Sequence, residues 1–241
     1  MMSELARGFP PGELIVSTGE LPSSAESDAL LPSVIDRLAM PAGRLKTVQG
    51  LLRWGGRAVA LARQHDVGFV WCGNIRPAAY PARWVKARCG VPYGLIVYGG
   101  DLLELRRNFR ASPFKRRTAR WLLGGADLIV AISSWTGDLA GEVLQEIGLE
   151  QHTGKVRVVP LGTDPDVFHP GLDPAPLMAQ YGLPGGRWLV TVARLVPHKG
   201  IDTTIRALAL LAARYPDLRY AAVGQGSHRA ALEELARNVG V

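Results

Sequence analysis

VARLVPHKGIDTTIRALALL, running from Val192 to Leu211, joins the end of an apolar strand to an amphipathic helix through a loop that carries Arg194 and Lys199. The strand RWLVTVA, Arg187 to Ala193, is rich in β-branched residues, as a parallel strand covered on both faces should be. Beyond the loop, Ile201, Ile205, Leu208 and Leu211 recur at helical spacing through Arg214. The loop therefore lies at the carboxyl end of a strand. Open α/β sheets bind ligands at that edge, and the first turn of the following helix offers N–H groups and a positive dipole end to anions. Two fixed cations there suit a diphosphate. Taken by spacing alone, the same pair also reads as two solvated loop charges.

The wider pattern narrows that choice. Arg194-Leu195 and Lys199-Gly200 fit R-L-x-x-x-K-G, and Val223-Gly224-Gln225-Gly226 supplies a G-x-G turn after the next strand. Upstream stand ADLIVAISSW, Ala126 to Trp135, a strand leading into a serine-capped helix, and VRVVPLGTDPDVFHP, Val156 to Pro170. In this order, over roughly Leu45 to Val241, the segments resemble the retaining sugar-nucleotide glycosyltransferases of family 4. The resemblance implies an α/β, GT-B-like architecture of two facing Rossmann-like domains. It also implies transfer of a sugar from a nucleotide diphosphate donor to an acceptor hydroxyl, with retention. On that basis Arg194 and Lys199 are the catalytic candidates, neutralising the departing diphosphate, and Gly224 and Gly226 approach the donor.

Two departures from the family pattern stand out. The first credible strand, Glu13 to Ser17, looks like the family's second, with the glycine-rich first one missing. At the other end the chain stops at Val241, before the E-x7-E segment that contacts the donor in relatives. The expectation is a Rossmann-like N-terminal, acceptor-side domain over residues 1–170 and the first β-α units of a donor domain over 171–241. Such a chain is a hexosyltransferase-type enzyme by family but lacks turnover on its own. The alternative is a half-protein that binds acceptor or membrane and needs a partner. A two-stranded second sheet leaves apolar faces open and should be soft.

Within the first domain, Tyr98-Gly99-Gly100-Asp101 follows a strand where relatives carry H-G-x-D. The glycines let the backbone approach a sugar and Asp101 accepts a hydroxyl hydrogen bond. Tyr98 in place of histidine puts an imidazole role in doubt, and Asp101 reads equally well as a helix cap. Asn74 and Arg76 follow another strand end and are acceptor-site candidates, against an ordinary polar loop. Thr163 and Asp164 lie where relatives approach the donor sugar, although Asp164 before Pro165 also suits an Asx turn.

The formal charge of +7 favours anionic partners. Seven cations, Arg106, Arg107, Arg110, Lys115, Arg116, Arg117 and Arg120, alternate with apolar side chains such as Leu103, Phe114 and Trp121. That stretch reads either as a solvated helix face beside an acceptor cleft or as a contact for an anionic bilayer. No nucleic-acid-binding motif is present, so nucleic acid is not expected as a partner. Arg229 stands where a third glycine would complete a dinucleotide fingerprint, which argues against NAD. His198 reads as a solvated loop histidine or a phosphate contact, His65, His152, His169 and His228 show no metal-ligand spacing, and the two cysteines, Cys72 and Cys89, form no disulfide framework. No metal and no cofactor are expected beyond the nucleotide-sugar co-substrate, with a lipid-linked, glycan or small-molecule acceptor. No apolar run approaches the ~20 residues that span a bilayer, so the expected location is cytoplasmic or peripheral to the inner membrane face.

Overall fold

The computed structural model describes residues 2–20, 28–29, 31–39 and 44–241. The chain divides into two compact units, Met1–Thr163 and Asp164–Val241. The compositional boundary after residue 170 thus falls inside the second unit. The last strand of the first unit ends at Val158, and no helix or strand follows until Ala175.

In the first unit, β1 (Ile15–Gly19) pairs in parallel with β2 (Val34–Leu38). A second, four-stranded parallel sheet has the order β3 (Val70–Cys72), β4 (Tyr93–Val97), β5 (Leu128–Ala131), β6 (Val156–Val158). The helices are α1 (Met2–Arg7), α2 (Arg44–Gln64), α3 (Ala79–Cys89), α4 (Gly100–Arg110), α5 (Pro113–Gly125) and α6 (Ser134–Glu146). β2 carries Asp36 and Arg37 in mid-strand, which hides it from an apolar-run criterion. Both charges are matched locally: Arg57 pairs with Asp36, and Arg37 donates to Asp28 and to the Gly19 carbonyl. Helix α4 was legible only as a turn, because its apolar stripe of Leu102, Leu105 and Phe109 is buried within a heavily charged run.

The main core sits on β4, whose Tyr93, Leu95 and Val97 are fully buried. Around it pack Leu122 and Leu123 of α5, Ile129 and Ala131 of β5, and Val143 and Leu144 of α6. One polar group enters this core with its partner already in place. The Tyr93 hydroxyl donates to the Leu122 carbonyl at 2.5 Å, and burial pushes the phenol pKa above its ordinary value.

The C-terminus of α6 is where most of the basic stretch goes. Arg106 of α4 pairs with Glu142 and Glu146, and Arg110 pairs with Glu146. From α5, Arg116 and Arg120 donate to the carbonyls of Glu146 and Ile147. Helix C-termini have unpaired carbonyls and a negative dipole end, so cations are favoured there. Lys115 binds Asn108 at 2.8 Å. Of the seven cations, only Arg107 and Arg117 lack such partners among the described residues.

The second unit contains α7 (Ala175–Gln180), β7 (Arg187–Val192), α8 (Ile201–Leu211), β8 (Leu218–Val223) and α9 (Arg229–Val239). β7 and β8 pair in parallel from Arg187–Leu218 to Val192–Val223. Leu195, Ile201, Ile205 and Leu232 form its small core. The expectation that β7 is covered on both faces is corrected here: Val190 is 60% and Val192 79% exposed. A sheet of two strands has helices enough for one face only. No described helix is long and apolar enough to cross a membrane.

Candidate functional site

In the second unit the β7–α8 loop is built from the backbone outward. Ala193 N donates to Val223 O at 3.0 Å and Leu195 N to Gln225 O at 2.9 Å, so the loop runs alongside the Gly224–Gly226 turn. Pro197–Lys199 form one turn of 3₁₀ helix, and Gly200, at φ +67°, caps α8. Leu195 is buried and anchors the loop, while Arg194, His198 and Lys199 are exposed. Of the other cations of this unit, Arg187 is paired with Asp217, Arg229 with Glu233, and Arg214 lies over the Tyr215 ring, whereas the Arg206 and Arg237 side chains have no ion-pair or hydrogen-bond partner among the described residues. Neither the Arg194 nor the Lys199 side chain has an ion-pair or hydrogen-bond partner among the described residues. The structure therefore brings two uncompensated cations to the mouth of a helix N-terminus, an arrangement suited to an anion.

Gly224 and Gly226 are exposed and also lie hard against the neighbouring loop. A Cβ on Gly224 would stand 1.9 Å from the Ala193 carbonyl oxygen, and one on Gly226 2.2 Å from that of Leu195. Their missing side chains are used by the neighbouring loop. Together they hold the segment that carries Arg194.

In the first unit, candidate residues gather at the carboxyl edge of β4 and β5. Gly99, at φ +86°, is the N-cap of α4. Asp101 sits in the first turn, where its Oδ1 accepts from the N–H groups of Tyr98 and Leu102, both at 3.0 Å. Its Oδ2 is buried with no hydrogen-bond partner. Burial raises the Asp101 pKa, and the surrounding backbone N–H groups counter it only in part. Tyr98 is half-buried, and its phenol pKa is raised by burial and by the Asp101 charge.

On the adjacent strand, Ser133 caps α6, accepting from Thr136 N at 3.2 Å. Trp135 follows and is 60% exposed. A methyl group at Gly99 would meet its Cζ3 at 2.6 Å, so the indole rests on that glycine. Sequence reasoning passed over Trp135. The available signal was its position one residue before the buried stripe Thr136, Leu139, Ala140, Val143 and Leu144.

The remaining candidates stand apart. Asn74 Oδ1 accepts from Ala78 N at 3.3 Å, before α3. Thr163 is exposed at the end of the first unit. Asp164 Oδ1 accepts from Asp166 N at 2.9 Å, the Asx turn anticipated as its structural role. No group of three His, Cys, Asp or Glu placed to hold a metal occurs among the described residues.

Residues 177–241, which include both cations and the G-x-G turn, match the family model described as Glycosyl transferases group 1. The chain is 28% identical over 186 residues to the GDP-mannose-dependent alpha-(1-6)-phosphatidylinositol monomannoside mannosyltransferase of Mycolicibacterium smegmatis, covering 77% of this chain and 46% of that protein. It is 34% identical over 143 residues to a D-inositol 3-phosphate glycosyltransferase of Acidothermus cellulolyticus, covering 57% of this chain and 30% of that protein. The chain thus spans less than half the length of these curated relatives. Among solved structures, the Anabaena protein HepE in complex with UDP and glucose superposes with a TM-score of 0.70 at 18% identity, covering 99% of this chain and 62% of that one. The fold is GT-B-like.

Proposed function

We propose that the chain is part of a glycosyltransferase that moves a sugar, with retention, from a nucleoside diphosphate donor to a hydroxyl of an inositol-type acceptor. The observation that carries this reading is the pair of uncompensated cations, Arg194 and Lys199, within the segment that matches the glycosyltransferase family model. As the bond from the sugar to the diphosphate breaks, negative charge grows on the leaving phosphate oxygens. Two cations carried on a backbone-anchored loop that leads into a helix N-terminus stabilise that charge, each by roughly 2–4 kcal/mol, without a protein nucleophile. No metal is required for this step.

The acceptor assignment rests on the first unit and on the relatives. Both relatives named above have inositol in their acceptor names. Gly99 leaves room for a close backbone approach at the edge of β4, between Tyr98 and Asp101.

Titration calorimetry of the chain with UDP and with GDP tests the donor half. Arg194→Ala is expected to weaken binding of the preferred nucleotide by about 10- to 100-fold, as loss of a charge-assisted hydrogen bond does. Affinity within twofold of the unsubstituted chain, with the fold intact, sinks the assignment.

A further inference from the structure

Trp135 is an aromatic side chain that the structure holds in place without burying. Its neighbours on the helix face the core: Thr136, Leu139 and Ala140 are all 5% exposed or less, whereas the indole is 60% exposed. Its position is set from two sides. Ser133 caps the helix through its hydroxyl, which contacts both Thr136 N and Thr136 Oγ1, and so fixes the first turn. Gly99 sits against Cζ3 of the indole, in a backbone conformation, φ +86°, that a residue with a side chain rarely adopts. Any larger residue at 99 would displace the ring. The contact is thus made between a loop residue without a side chain and a ring that remains open to solvent.

Polar residues neighbour the indole in the chain: Ser134 before it and Asp138 three residues on, on the same helix, are both exposed, and Tyr98 and Asp101 flank the Gly99 that seats it. A flat apolar ring, seated on a glycine and left open to solvent with exposed Ser134 and Asp138 on the same helix, suits a ligand with one C–H face and equatorial hydroxyls, since polar groups orient what the apolar surface holds.

We infer that Trp135 is the platform on which the six-membered polyhydroxylated ring of the acceptor stacks, and so is a specificity-determining residue of the acceptor site. The inference rests on the reading of the first unit as the acceptor side. It adds a residue that neither the family pattern nor the spacing of the sequence assigned. It also predicts a preference for cyclic over linear polyols.

Saturation-transfer NMR on the chain tests it, with myo-inositol and methyl α-D-mannopyranoside as ring probes and mannitol as the linear comparison. A ring probe should bind more tightly than mannitol. Trp135→Ala should weaken it by about 10-fold, the effect expected for loss of one stacking ring, and Trp135→Phe should restore most of it. UDP or GDP binding, read in the same samples, should not change. Ring-probe affinity within twofold in folded Trp135→Ala overturns the inference, as does the absence of ring-probe binding to the unsubstituted chain. If instead the nucleotides fail to bind while ring binding still depends on Trp135, the donor reading falls and the platform stands.

Discussion

Gly224 and Ala193 share a space that admits no side chain: a Cβ on the glycine would lie 1.9 Å from the alanine carbonyl oxygen. The backbone there is also at φ +151°. Gly224→Ala must move the β7–α8 loop away from the turn, breaking the hydrogen bonds that link Ala193 to Val223 and Leu195 to Gln225. The expected cost is about 3 kcal/mol, at the upper end of overpacking substitutions. Hydrogen exchange should accelerate across residues 187–226 and remain unchanged at 93–97.

Asp101 should make the chain less stable as pH rises. Its folded pKa lies above the ordinary value because burial disfavours the charged form. The native state therefore holds the proton more tightly than the unfolded chain, and that advantage is lost as pH climbs from the ordinary carboxylate range through the raised value. Asp101→Asn keeps an Oδ1 acceptor for the Tyr98 and Leu102 N–H groups and removes the charge. Melting temperatures from pH 3 to pH 7 should show the variant gaining on the parent as pH increases. A constant gap would contradict this.

Glu146 has the opposite sign. Burial opposes its ionisation, but Arg106 and Arg110 outweigh that and hold its pKa below the ordinary value. Its stabilisation is complete above that ordinary value and disappears as pH falls through the lowered one. Glu146→Gln should cost about 1 kcal/mol at neutral pH and progressively less as pH falls below the ordinary carboxylate range, measured by urea unfolding.

The basic stretch should bind anionic vesicles weakly. Arg106, Arg110, Arg116 and Arg120 are engaged at the end of α6, leaving Arg107 and Arg117 with the exposed Phe114 and Leu103. At about 1 kcal/mol per free cation near an anionic surface, two give marginal attachment. Co-sedimentation with phosphatidylglycerol vesicles should fall to background in the double variant Arg107→Ser, Arg117→Ser, with the melting temperature unchanged. Arg106→Ser should lower the melting temperature instead.

On the proposed reading, in which Arg194 and Lys199 supply the positive charge a divalent ion would otherwise bring, EDTA should leave UDP or GDP binding to the chain unchanged. A loss of affinity on chelation, restored by Mg²⁺, would show that the pair is not sufficient.

The parallel strands were legible because their apolar runs are uninterrupted: Tyr93–Val97 and Leu128–Ala131 needed no context. β2 was not, since Asp36 and Arg37 find partners only in three dimensions. The Arg194–Lys199 loop could be placed from the strand and helix that flank it. The role of Gly224 could not, because the close approach that requires it comes from a loop 31 residues away in sequence, at Ala193. Charge clustering misled for the same reason, for the acidic and carbonyl partners of the arginines lie on α6.

Strands β4 and β5 are paired from Gly94–Leu128 to Val97–Ala131, so both stop on the same rung of the sheet. The loops that begin at Tyr98 and Ile132 therefore start level, just beyond the last paired rung. Mutation can rewrite either one, in length or in chemistry, without sliding a strand past its neighbour. Such a chain can acquire a new substrate preference through a handful of changes while its ancestry stays readable in the sheet beneath.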